Sequence, residues 1–170
     1  MKEFSKATRA NIPTILVIVG ATGDLVAKKI GPALFHLYSR GELPDRFRVI
    51  GFSRRDLTSK EFQSRIADIL KNHTDKKTKK LISLFLSLFS YTRGQFENKN
   101  DYYQLKNTLD SIDAGWGLCS NKLFYLAVPP ELYPKILKNL VSSGLTKPCS
   151  PEEGWTRVIV EKPFGKDAKT

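Results

Sequence analysis

Cysteine is scarce in this chain, with two among 170 residues. Cys119 and Cys149 stand far apart, and no Cys-x-x-Cys spacing occurs. That argues against a disulfide scaffold and against the usual zinc spacing, and it predicts two free thiols in a reducing compartment. Histidine is equally scarce, limited to His36 and His73. No apolar run approaches the ~20 residues that a membrane span requires. The opening Met-Lys-Glu-Phe-Ser-Lys-Ala-Thr-Arg-Ala lacks the apolar stretch of a signal peptide. Internal repeats and low-complexity tracts are missing too. The expectation is a cytoplasmic protein with no membrane partner and no metal.

Acidic residues are outnumbered, 17 against 28 basic ones, which leaves a net charge of +11. Such an excess favours an anionic partner, either nucleic acid or a phosphorylated small molecule. Part of it sits in Lys76-Lys77-Thr78-Lys79-Lys80, just before the apolar stretch 81–89. This run reads as the solvated start of a helix rather than as a nucleic-acid patch. Elsewhere basic residues and aromatics are scattered, so no nucleic-acid partner is expected.

Residues 1–12 read as a flexible polar lead-in, and 13–170 as one domain. Strand patterns at 14–19, 47–52, 122–128 and 155–160 alternate with helical patterns at 24–40, 59–71, 74–89, 101–112 and 131–143. Residues 91–96 fit a short strand or a loop. Thr58 and Glu61 have the spacing of a capping box. Tyr102, Leu105 and Leu109 share one helical face. Gly115, within Ala114-Gly115-Trp116-Gly117, is expected to lie in a helix break. The alternation predicts an α/β fold, a Rossmann-like doubly wound and mostly parallel sheet with helices on both faces.

Two segments carry chemistry. The apolar strand 14–19 runs into Gly20-Ala21-Thr22-Gly23-Asp24-Leu25. Glycines at a strand-to-helix turn let the backbone approach a pyrophosphate, which sits on the N–H groups of the helix N-terminus. The second strand ends in Gly51-Phe52-Ser53-Arg54-Arg55. An acidic residue there would hold the ribose 2′-hydroxyl of NAD. Arginine instead suits a 2′-phosphate, so the expected cofactor is NADP, with Arg54 as main contact and Ser53 or Arg55 assisting. Asp56 is expected to pair with Arg54. Asp24 is expected to act as a helix-terminus charge.

With these segments in view, the chain resembles the N-terminal domain of the glucose-6-phosphate dehydrogenase family. Gly20–Leu25, Gly51-Phe52-Ser53-Arg54 and four further stretches carry the resemblance: Lys28-Lys29-Ile30-Gly31-Pro32, Tyr91-Thr92-Arg93-Gly94-Gln95-Phe96, Leu123–Pro130 with Tyr133 following, and Glu161-Lys162-Pro163-Phe164-Gly165. The resemblance implies oxidation of glucose 6-phosphate at C1 with hydride passed to NADP, the first step of the pentose phosphate pathway. It implies that Lys162 is the catalytic and substrate-binding lysine and that Lys29 reaches toward the reacting centre. It also implies that Gln95, Phe96, Pro129, Tyr133, Glu161 and Pro163 line the cofactor site, and that the whole enzyme is a homo-oligomer, dimer or tetramer.

The chain departs from the family pattern in two ways. Val26 and Ala27 replace an alanine and a basic residue after Asp24-Leu25. The family's base histidine, which belongs to a second domain, has no counterpart in His36 or His73. These 170 residues are therefore expected to be the N-terminal part of a longer enzyme, inactive alone because nothing takes the C1 hydroxyl proton. Two other readings compete. One is a non-catalytic nucleotide- or nucleic-acid-binding module. The other is a different NADP oxidoreductase on the same scaffold, such as a short-chain reductase, which needs a Tyr-x-x-x-Lys pair. No such pair is expected at any of the tyrosines, which weakens this reading.

Overall fold

The run Thr-Ile-Leu-Val-Ile-Val is apolar on both sides, so it belongs in the middle of a sheet. It forms β1 (Thr14–Val19), whose residues 15–19 are at most 5 % exposed. The computed structural model describes residues 13–70, 76–148 and 154–161. After β1 come α1 (Gly31–Ser39), β2 (Phe47–Ser53), α2 (Ser59–Ile69), α3 (Lys76–Leu86), β3 (Phe89–Arg93), α4 (Lys99–Trp116), β4 (Asn121–Leu126), α5 (Tyr133–Ser142) and β5 (Thr156–Val160). The strand order is β3-β2-β1-β4-β5, and every pairing is parallel. The chain reverses its direction of travel across the sheet between β1 and β4, the switch point where such sheets bind ligands.

Side-chain alternation divides the core into two layers. Ile15, Val17 and Val19 pack with Tyr102, Leu105, Leu109, Ile136 and Leu140 under α4 and α5. Leu16 and Ile18 pack with Phe35, Phe62, Ile66 and Phe85 under α1, α2 and α3. Tyr102, Leu105 and Leu109 are fully buried, as their helical spacing predicts. The capping box forms: the Thr58 hydroxyl accepts from the Glu61 N–H at 3.2 Å, and the Thr58 N–H donates to Glu61 Oε2 at 2.7 Å.

Several boundaries differ from the sequence expectation. The helix after the glycine turn contains a π-helical turn, Val26–Ile30, before α1. Pro32 has no N–H and crowds the preceding turn, and widening that turn absorbs the misfit. The Gly31 N–H bonds to the Val26 carbonyl across this wider turn. Phe89 begins β3 rather than ending a helix, and its ring stands 4.8 Å from Phe85 and 6.2 Å from Phe62. The start of the expected 74–89 helix lies outside the described residues.

Gly115 does not break α4. Ile112 and Trp116 extend the buried face at helical spacing, outweighing the ~1 kcal/mol propensity cost of one glycine. The helix stops at Gly117, whose φ of +66° is a left-handed C-terminal cap. Cys119 is disulfide-bonded, which corrects the expectation of a free thiol. Separation in sequence does not report separation in space, and the thiol argument for a reducing compartment falls away. His36 is exposed; His73 lies outside the described residues.

Candidate functional site

The glycine turn leaves β1 at the switch point and touches the end of β4. Gly20 has φ +84°, and a Cβ there would lie 2.4 Å from the Ala127 carbonyl oxygen and 2.6 Å from Val128 Cγ1. Only glycine fits that backbone and that space. The Gly20 N–H donates to the Phe52 carbonyl at 2.8 Å, and the Gly23 N–H donates to Gly20 at 3.0 Å. These bonds fix the turn between the ends of β2 and β4. Ala21 and Val26 are buried beneath it, while Gly23 and Asp24 are exposed. Val26 thus fills the helix–sheet contact without disturbing the turn.

Asp24 is salt-bridged to Lys28 at 2.8 Å, one helical turn on. The Lys28 ammonium, by hydrogen bond and then by charge, holds the Asp24 carboxyl below its usual range and is itself pushed up. The pair neutralises the carboxylate that would otherwise repel a pyrophosphate. Lys29 is exposed on the π-helical turn.

The second half of the site is the end of β2. Ser53, 5 % exposed, shares a hydrogen bond with Thr22, Oγ to Oγ1 at 2.9 Å. Thr22 therefore joins the glycine turn to the arginine turn. Arg54 and Arg55 are exposed beyond it. The Arg54 guanidinium lies 5.4 Å from the centroid of the Phe96 ring, a cation–π arrangement that restricts a long side chain. Phe96 is 3 % exposed and acts as that platform, whereas Gln95 is exposed with its N–H on Asp101. The Tyr91 hydroxyl donates to the Ser53 carbonyl at 2.9 Å and the Arg55 carbonyl at 2.7 Å, pinning the turn from below. Asp56 pairs with Arg93 at 3.2 Å, not with Arg54 as expected.

Arg54 and Arg55 follow β2 and Arg93 ends β3 beside it, so three guanidiniums stand at this edge of the sheet. The sequence reading misses Tyr91 and Arg93. Their signal is the period-two alternation of Phe89, Tyr91 and Arg93 beside β2.

Glu161, Tyr133 and Tyr125 meet at the ends of β4 and β5. Tyr125 donates to the Glu161 carboxylate. The Glu161 N–H donates to the Tyr133 hydroxyl at 3.3 Å, and that hydroxyl lies 3.5 Å from the Glu161 carbonyl. Pro129 is exposed at the mouth of the same strand ends. Lys162 and Pro163 lie outside the described residues. Tyr102 and Lys106 do have Tyr-x-x-x-Lys spacing. However, the Tyr102 hydroxyl is buried on the Phe96 carbonyl and Lys106 is paired with Asp110, so α4 offers no reductase pair.

Comparison with known proteins agrees with this geometry. Residues 17–170 match the family model described as glucose-6-phosphate dehydrogenase, NAD binding domain. A glucose-6-phosphate 1-dehydrogenase of Chlamydia pneumoniae is 39% identical over 157 residues, 91% of this chain and 31% of that protein. A cytoplasmic glucose-6-phosphate 1-dehydrogenase of Arabidopsis thaliana is 35% identical over 159 residues, 91% of this chain and 30% of that protein. A solved glucose-6-phosphate dehydrogenase in complex with its substrate glucose-6-phosphate superposes with a TM-score of 0.80 at 34% identity, covering 92% of this chain and 32% of that one. The chain spans about a third of the length of the relatives it matches. By its sequence, its parallel five-stranded sheet and its glycine turn, the chain belongs to the glucose-6-phosphate dehydrogenase family and matches that family's nicotinamide-dinucleotide-binding domain.

Proposed function

We propose that this chain is the NADP-binding part of an enzyme that oxidises glucose 6-phosphate at C1 to the 6-phosphoglucono-lactone. The observation that carries the cofactor reading is the Thr22–Ser53 hydrogen bond, which fixes the glycine turn against a turn bearing Arg54 and Arg55. The glycine turn receives the pyrophosphate, and the arginine turn receives the 2′-phosphate through bidentate guanidinium contacts. Bound NADP would supply the hydride acceptor. Gly20–Leu25, Ser53, Arg54 and Arg55 hold its adenosine half, and Gln95 and Pro129 border it. Phe96 orients Arg54.

Tyr133 and Tyr125 grip Glu161, the residue before Lys162 in the sequence, just past the end of β5. In this reading Lys162 hydrogen-bonds the sugar beside the nicotinamide, with Lys29 nearby. The proton on the C1 hydroxyl needs a base that neither His36 nor His73 provides, so the whole activity requires the remainder of a longer chain. Residues 13–170 form the dinucleotide-binding domain. The full enzyme is a cytoplasmic homo-oligomer, and among the relatives the Arabidopsis protein is named cytoplasmic.

The test is a titration of the protein with NADP and with NAD at low salt. Preference for NADP that is lost in Arg54→Ala is the expected result. Equal or absent binding of both overturns the cofactor reading. Dehydrogenase turnover by these 170 residues alone would overturn the claim that the base lies elsewhere.

A further inference from the structure

Arg93 ends β3 directly beside Ser53 in the parallel register. Alternation along the strand puts Arg93 on the face of Tyr91, toward α2. Arg54 turns the other way and stacks on Phe96, which belongs to the layer under α4 and α5. A guanidinium thus flanks the end of β2 on each side, with the Ser53 hydroxyl between them.

The only ionic partner shown for Arg93 among the described residues is Asp56, at 3.2 Å, with side chains 56% and 84% exposed. An exposed pair of this kind is weak. A phosphate monoester carries more charge and accepts the guanidinium fork in two places, so it displaces a solvated carboxylate.

We infer that Arg93 is a further ligand for the cofactor 2′-phosphate and a determinant of NADP over NAD, and that Asp56 competes with the phosphate for it. This rests on the NADP reading of the site. NAD lacks the phosphate and leaves the Arg93–Asp56 pair closed. Binding NADP opens the pair and swings Arg93 toward Ser53 and Arg54.

Three variants test this by titration with NADP and NAD. Arg93→Ala should weaken NADP binding about tenfold, the loss of one charged hydrogen-bonded contact, and leave NAD binding unchanged. Arg93→Gln should behave alike, with unaltered NAD affinity reporting an intact fold. Asp56→Asn should tighten NADP binding a few-fold, and that gain should vanish when Arg93→Ala is added. Equal loss of both nucleotides in Arg93→Ala, or no loss of either, overturns the inference. So does a gain from Asp56→Asn that survives without Arg93. Arg54→Ala separates the two levels. If it abolishes NADP preference while Arg93→Ala keeps it, only the Arg93 inference fails. If the unaltered protein shows no preference, the NADP reading fails and the inference with it.

Discussion

Thr22 Oγ1 and Ser53 Oγ stand 2.9 Å apart although 31 residues separate them in the chain. The contact exists because β1 and β2 are parallel neighbours, with Val19 opposite Phe52. Both strands therefore end at the same edge, and the residues that follow them face each other. A dinucleotide carries its pyrophosphate and its adenosine 2′ position on one ribose, so two turns that would bind them must be locked in register. This part-buried hydroxyl pair, with the Gly20 N–H on the Phe52 carbonyl, does this locking.

The glycine turn has no tolerance for a side chain. Gly20→Ala places a methyl group 2.4 Å from a backbone oxygen at a positive φ. Roughly 2–4 kcal/mol of stability should be lost, with dinucleotide binding lost as well. Urea unfolding measures the first and a binding titration the second. A shift smaller than ~1 kcal/mol would mean that the turn can relax.

Far from the cofactor edge, Lys122 Nζ lies 2.6 Å from Asp113 Oδ2, with side chains 8% and 12% exposed. Ser120 donates to the other carboxylate oxygen through its N–H at 3.2 Å and its hydroxyl at 2.5 Å. Lys122→Met takes the ammonium from a mostly buried carboxylate and should cost about 3–5 kcal/mol. Adding Asp113→Asn should restore most of that loss, because asparagine still accepts from Ser120. Chemical denaturation of the single and double variants reads out both effects, and no recovery in the double variant would contradict the account.

Burial pushes the Tyr125 phenol up to about 12, reinforced by its hydrogen bond to Glu161 and by the negative charge of that residue. The ordinary value is 10.0. The folded protein therefore holds this proton more tightly than the unfolded chain. Its contribution is fully present below pH 10 and is lost as pH rises toward 12. Ultraviolet titration of tyrosinate should lose one of its late-ionising phenols in Tyr125→Phe, while the Tyr91 and Tyr102 phenols, also raised by burial, stay late, and the alkaline loss of stability should shrink in that variant. An unchanged titration curve would place the late phenol elsewhere.

Much of the site is legible in the residues because local chemistry demands particular types. Gly20 is required by a positive φ. Thr58 and Glu61 announce a helix start. Arg54 and Arg55 read as a basic turn after β2 and stand exposed there. Boundaries were less legible wherever packing overruled propensity. Gly115 stays helical because Trp116 is still packed against the core, and Phe89 leaves the helix because a neighbouring strand takes it.

The sequence by itself determined the layered α/β alternation, the glycine turn and the basic end of β2, since hydrophobic period and backbone freedom act over a few residues. Only the tertiary structure decided which distant groups meet. Asp56 chose Arg93 over the nearer Arg54, Cys119 is disulfide-bonded, and two tyrosines from β4 and α5 closed on Glu161. Such pairings follow from strand order and register, and these are set by how whole faces bury against one another rather than by any local pattern.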